Sequence, residues 1–206
     1  MQINHAPFRL GVAGLSGSGK TTYLARFLLS PRTKATCRFV FDHVGALTVR
    51  LGKPAARDVA SLLGQIATGW CVFDPRRAFG DDVAAAEWFA GFAFVASGSL
   101  PGRKLFVVDE LQDLAEKKAG PLLGQVWNRG RNVGLDVAYI TQSFGEAART
   151  LVKQTTEAVT FNTSCEASLY RLRKWGFDVD AVQRLPRGSY LARNLMTGGE
   201  VAGKVF

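Results

Sequence analysis

Cysteine and histidine are scarce in these 206 residues: Cys37, Cys71 and Cys165 are scattered, and His5 and His43 are the only histidines. With no C-x-x-C and no H-x-x-x-H, a disulfide framework and a structural zinc site are excluded, and a reducing compartment fits best. The first residues carry neither the apolar run nor the small-residue cleavage site of an export signal. The most apolar stretch, 83–97, is shorter than the ~20 residues a membrane span needs and contains Glu87, so it is expected as a helix buried in a core. Internal repeats, low-complexity tracts and long linkers are also missing, which predicts a single domain over 1–206. A 47% hydrophobic and 21% charged composition supplies one sizeable core and rules out a disordered tail or a fibre.

Acid is scarce in one region only. Residues 1–57 hold nine lysines and arginines against one acid, Asp42, whereas the rest holds seventeen against sixteen. The overall +9 suits an anionic partner such as nucleic acid or a phosphorylated ligand, and equally suits simple solubility. Arg32, Lys34 and Arg38 are expected on the sheet edge away from a nucleotide, and Arg50, Lys53 and Arg57 on the nucleotide edge.

Hydrophobic patterning predicts short apolar strands at 9–13, 38–41, 70–73, 105–108, 135–140 and 158–161. Helices are predicted at 21–29, 55–66, 121–131, 166–175 and through 83–97, the last opening on Asp81-Asp82. Residues 189–194 and 200–206, joined by Thr197-Gly198-Gly199, read as a hairpin at one edge. Continuously apolar strands alternating with helices give an α/β fold with a mostly parallel sheet covered on both faces.

Gly14-Leu15-Ser16-Gly17-Ser18-Gly19-Lys20-Thr21 matches G-x-x-x-x-G-K-[ST] at every required position, between a predicted strand and helix. Such a match arises by chance in about one chain in a hundred of this length. The glycines let successive N–H groups converge on phosphates at a helix N-terminus. Lys20 would reach the β- and γ-phosphates, the Thr21 hydroxyl would bind Mg²⁺, and Thr22 would meet the α-phosphate. ATP and Mg²⁺ are the expected ligands.

Asp109-Glu110 closes a second apolar strand. Asp109 is assigned to the metal and Glu110 to the attacking water; the plain alternative is an acidic helix cap. Asp113 and Glu116 fit a solvated helix face. A water-activating glutamate favours hydrolysis over transfer, leaving as a rival a small-molecule kinase with Arg76-Arg77 as its lid. Gln142, ending the strand after Gly130-Arg131-Asn132-Val133-Gly134, is placed to sense the γ-phosphate or the water, although Thr141-Gln142 also reads as an ordinary cap. Arg129 and Arg131 suit a helix C-terminus, or an arginine finger offered to a neighbouring subunit.

Taken together, GLSGSGKT, LFVVDE and GRNVGLDVAYITQ resemble the FtsK/HerA superfamily of DNA-translocating ATPases. They are similar in particular to the small genome-packaging ATPases of tailless, membrane-containing phages and archaeal viruses. Phe73-Asp74-Pro75 and the closing LPRGSYLARNL carry the resemblance across nearly the whole chain. It implies a RecA-like (ASCE) P-loop fold, with Lys20 and Thr21 on ATP-Mg, Glu110 as base, Gln142 as sensor and Arg131, then Arg129, as the trans finger. It further implies a hexameric ring around double-stranded DNA, pumping a genome into a procapsid alongside capsid or portal-vertex proteins. The expected location is the host cytoplasm or the packaging vertex. Larger members carry DNA-orienting or membrane-anchoring domains for which this length leaves no room. A Zot-like phage-extrusion ATPase is the alternative within the superfamily, although those continue into a transmembrane helix. Lys117-Lys118 would face the pore in the implied ring, or form a solvated loop.

Overall fold

The computed structural model describes residues 8–31 and 33–206, with the Arg77 side chain and Arg32 outside the described set. In chain order the elements are β1 (Arg9–Ala13), α1 (Lys20–Leu29), β2 (Cys37–Phe41), α2 (Ala46–Leu51), α3 (Val59–Ile66), β3 (Trp70–Phe73) and α4 (Asp82–Ser99). They continue with β4 (Lys104–Val108), α5 (Leu111–Leu114), α6 (Pro121–Arg129), β5 (Leu135–Thr141), α7 (Arg149–Val152) and β6 (Glu157–Thr160). The chain closes with α8 (Glu166–Lys174), α9 (Val179–Gln183), β7 (Ser189–Asn194) and β8 (Glu200–Lys204).

All eight strands form one sheet in the order β3-β2-β4-β5-β1-β6-β7-β8. The first six run parallel, and β7 and β8 are antiparallel. Because strand side chains alternate, each apolar strand feeds two cores at once. Phe39, Phe41, Phe73, Phe106 and Tyr139 meet Phe89 of α4 and Trp127 of α6 on one face. Leu10, Val12, Val40, Val107 and Ile140 meet Leu24 and Leu28 of α1 on the other. Two helix boundaries differ from the sequence expectation. Ala56 bonds to the edge of β3 instead of starting a helix, which opens only at Val59 with the Asp58 carboxylate accepting from Ser61 N at 2.8 Å. Likewise α6 stops at Arg129 and tightens to a 3-10 turn over Gly130–Val133, because Gly130 abuts the Leu135 carbonyl, where a Cβ would come within 2.6 Å.

The apolar helix α4 is buried along one face only; Val95 is 74% exposed. Glu87 has a structural task there. Its carboxylate accepts from Leu122 N (2.7 Å) and Leu123 N (3.0 Å), satisfying the first turn of α6, whose own N-cap, Gly120, has no side chain to do so. Among the described residues no helix is long and apolar enough to cross a membrane.

Candidate nucleotide site

Since β1 to β6 are parallel, the loops after β1, β4 and β5 emerge at one edge of the sheet. With β5 inserted between β4 and β1, the acidic pair lies two strand spacings, about 10 Å, from the glycine loop, and Gln142 lies between them.

The glycine loop is shaped by its packing as much as by local sequence. Gly14 and Gly19 have φ of 147° and 117°, which L side chains rarely adopt. A Cβ at Gly14 would come within 2.6 Å of Phe161 Cβ, and one at Gly19 within 2.6 Å of Val205 Cγ2. The outside of the loop is braced by Leu15 N donating to Asn162 O (3.0 Å), Gly188 N to Ser18 O (3.1 Å) and Arg187 Nε to Gly17 O (3.2 Å). The terminal hairpin expected as an edge ornament thus buttresses the loop. Lys20 is buried, and its ammonium donates to the Gly14 and Leu15 carbonyls at 2.8 and 3.1 Å. Burial lowers its pKa, while the nearby Glu110 and Asp109 charges oppose that. Thr21 and Thr22 follow in the first turn of α1, half-buried.

Three parallel strands end in aspartate, and their environments separate them. Asp42, after β2, accepts from Gly45 N (2.9 Å) and Thr48 N (2.5 Å), shaping the turn into α2. Asp74, after β3, holds the Arg76 guanidinium through both oxygens (2.8 and 2.7 Å). That pairing ties down Arg76, one half of the lid in the kinase reading. Asp109 is buried with Oδ1 lacking a hydrogen-bond partner. Burial foremost, then the charges of Asp42 and Glu110, push its carboxyl up to about 7. A carboxylate oxygen left unsatisfied beside a phosphate loop is what a Mg²⁺ site requires, and Asp109 with the Thr21 hydroxyl fits one. Among the described residues no three His, Cys, Asp or Glu side chains form a metal cluster. Mg²⁺ bound with phosphates draws on only one or two carboxylates, so the donor set is sufficient.

Glu110 occupies the left-handed region at φ 50°, ψ 61°, the one described non-glycine residue with positive φ. That backbone costs roughly 1–2 kcal/mol, and such strain collects at functional positions. Gln112, which the sequence reading passed over, connects the parts: its Nε2 donates to Glu110 Oε2 (2.8 Å) and its Oε1 accepts from Gln142 N (3.2 Å). No helix follows β5 directly, so the cap reading of Thr141-Gln142 does not apply; Thr141 Oγ1 closes a local turn, donating to Ser143 O (3.0 Å) and accepting from Ser143 N (3.3 Å), while Gln142 is exposed. Asp113 is exposed on α5 as expected, with Oδ2 3.5 Å from His43 Nε2, whereas Glu116, also exposed, lies in the loop beyond α5 and on no helix face.

Arg129 and Arg131 are exposed before β5, at the opposite edge of the sheet. Seven residues at ~3.3 Å each put them about 20 Å from the glycine loop of their own chain. Lys53 also belongs to that opposite edge, contrary to expectation. Its ammonium lies 5.4 Å from the Trp70 ring, whose other neighbour is the Arg38 guanidinium at 4.6 Å. Lys117 and Lys118 lie exposed in the loop after α5.

No family model and no curated protein matches the chain. Solved structures do. The genome-packaging NTPase B204 of Sulfolobus turreted icosahedral virus 2, in complex with ATP-gammaS, superposes with a TM-score of 0.73 at 16% identity, covering 98% of each chain. The N-terminal domain of zonular occludens toxin from Neisseria meningitidis gives 0.56 at 12% identity, covering 97% of this chain and 95% of that one. The conjugation coupling protein TcpA of pCW3 gives 0.65 at 15%, covering 95% of this chain and 59% of that one. The chain therefore has a RecA-like P-loop fold, shared over 98% of its length with a viral genome-packaging NTPase.

Proposed function

We propose that this single-domain protein is a Mg²⁺-dependent ATPase that moves double-stranded DNA as a ring oligomer, packaging a viral genome into a procapsid from the host cytoplasm or the packaging vertex. One observation carries the reading. Along one edge lie a buried lysine in a glycine loop, a buried aspartate with an unspent oxygen, and a strained glutamate tied through Gln112 to Gln142.

The amides of 15–22 and the Lys20 ammonium hold the phosphates. Thr21 and Asp109 would hold the metal, which when bound neutralises charge on the β- and γ-oxygens. Glu110 takes the proton of the water that attacks the γ-phosphorus, as the bond to the β–γ bridging oxygen breaks and ADP departs. Gln112 steadies the glutamate, and Gln142 orients the water or contacts the γ-phosphate. Arg131, with Arg129 second, serves a neighbouring subunit's nucleotide, because about 20 Å of sheet separates each from its own. Capsid or portal-vertex proteins would recruit the ring. The likeness to the toxin domain favours one second reading, a phage-extrusion motor built on the same chemistry.

The test is ATP turnover against protein concentration, with and without duplex DNA. The expected outcome is stimulation by DNA and a steep rise in turnover per subunit as rings form. Arg131→Ala mixed with wild type should lower activity by more than dilution. Glu110→Gln should bind ATP normally and lose at least ~100-fold in turnover. A concentration-independent, DNA-blind enzyme that phosphorylates a metabolite would overturn the reading.

A further inference from the structure

We infer that His43 and Asp113 are positioning residues for hydrolysis, acting on Glu110 through the Gln112 amide. The inference rests on the nucleotide reading above and extends it to two side chains outside the glycine loop and the acidic pair.

The strand order brings the two together. β2 lies next to β4, so the turn after β2 emerges beside Glu110 and the short α5 that follows it. His43 sits in that turn with its side chain 8% exposed and its ring 5.8 Å from that of Phe41. Its Nε2 faces Asp113 Oδ2 on α5 at 3.5 Å. Asp113 is held from its other side as well: its N–H donates to Glu110 O (3.1 Å), and its Oδ1 accepts from Gln112 Nε2 (3.2 Å). The same Nε2 donates to Glu110 Oε2 (2.8 Å), while Gln112 Oε1 accepts from Gln142 N (3.2 Å). One chain of contacts thus runs from the end of β2 through α5 to the glutamate, and on to the end of β5.

The chemistry of an amide gives the outer pair its task. Gln112 can present either end to Glu110, and only the NH₂ end attracts a carboxylate. With Asp113 and Glu110 both facing that end, the flipped amide would set its carbonyl oxygen against two carboxylates. Asp113 therefore selects the orientation that Glu110 needs, and a side chain that otherwise keeps its rotamer freedom is held in one position. The Asp113 side chain is 53% exposed, so water competes for it, and a contact of this kind is weak without an anchor. His43 supplies the anchor from the neighbouring strand. Nδ1 of the same ring is buried without a hydrogen-bond partner, so the Asp113 contact is what orients the imidazole.

ATP turnover and ATP affinity, measured on wild type, Asp113→Ala, His43→Gln, His43→Asn and Gln112→Ala, test the inference. His43→Gln puts an amide nitrogen where Nε2 stood, whereas His43→Asn puts it at Nδ1. Asp113→Ala and His43→Asn should lower kcat about three- to fivefold, the scale of a partly exposed pair, with ATP affinity within twofold of wild type. His43→Gln should keep kcat within twofold. Added to Gln112→Ala, neither Asp113→Ala nor His43→Asn should lower kcat further, since the pair acts only through that amide. Equal losses in His43→Gln and His43→Asn would make His43 a packing residue. Unchanged kcat in Asp113→Ala, a matching loss of ATP affinity, or a further loss on top of Gln112→Ala would break the chain of contacts; each of these overturns the inference. Asp113→Ala removes an exposed side chain, so its result stands apart from how the buried histidine packs. Wild type that neither binds nor hydrolyses ATP would instead overturn the nucleotide reading itself.

Discussion

The two ends of the parallel sheet differ in how completely they pair their buried polar groups. Before the strands, Arg9 donates to the Trp127 carbonyl (2.6 Å), Lys104 to the Leu100 and Gly102 carbonyls (2.8 and 2.9 Å), and Arg38 to the Leu28 and Ala35 carbonyls (both 3.0 Å). Asp136 accepts from Phe8 N and from the Arg103 fork. After the strands, Asp109 keeps an oxygen with no partner, Ser18 keeps an idle hydroxyl, and Glu110 sits in a strained backbone. Burying charge is tolerable only when it is paired and hydrogen-bonded. The first end pairs each of these buried charges; the second pairs Asp42, Asp74 and Lys20 within the protein but leaves Asp109 Oδ1 and Ser18 Oγ without a partner.

Substitutions can break this contrast, and the largest effect belongs to the ligand end. Lys20→Ala should abolish measurable ATP binding, a loss of more than ~100-fold, because it removes the buried cation of the glycine loop. Retained binding would deny the glycine loop its role. Next come paired changes in stability. A carboxyl raised to about 7 in the fold and near 3.8 when unfolded contributes stability at low pH that is lost as pH rises toward 7. Asp109→Asn should therefore stabilise the nucleotide-free protein at pH 8 by up to roughly 4 kcal/mol, flatten its stability between pH 4 and 7, and abolish turnover. Asp136→Ala should instead cost about 2 kcal/mol, discounted for the half-exposed Arg103, and leave turnover per folded molecule unchanged. Urea unfolding at several pH values measures both, and equal signs would erase the distinction between the two ends. The smallest effect is the relay: Gln112→Ala should lower kcat about tenfold with ATP affinity unchanged. A matching change in affinity would make Gln112 a structural brace.

How far the site could be read follows from sequence separation. The glycine loop is eight consecutive residues, so its pattern is local, and the acidic pair ends a strand that its apolar run marks clearly. The aspartates closing β2, β3 and β4 look alike in sequence; only the Gly45 and Thr48 amides and the Arg76 fork show that two are spent. Gln112 meets Gln142 across thirty residues, and Arg187 meets Gly17 across 170, contacts that no spacing rule reports. The helices α2, α5, α7 and α9 have four to six residues, too few for a helical period to emerge. Lys53 lies at the far edge because the segment after α2 runs alongside β3, held by Ala56 N on Val72 O and Asp74 N on Ala56 O, which sets Lys53 beside Trp70 at the start of that strand.

By itself the sequence determined the α/β alternation, the glycine loop, the acid-ended strand and the polar strand end beside it, since each is a short run whose chemistry is complete in its own residues. Tertiary structure alone decided which aspartate remains unpaired, what braces the loop and where the arginines lie, since those depend on strand order. With β5 set between β4 and β1, one sheet edge holds Lys20, Asp109, Glu110 and Gln142, and a strand's length of protein keeps Arg129 and Arg131 on the other.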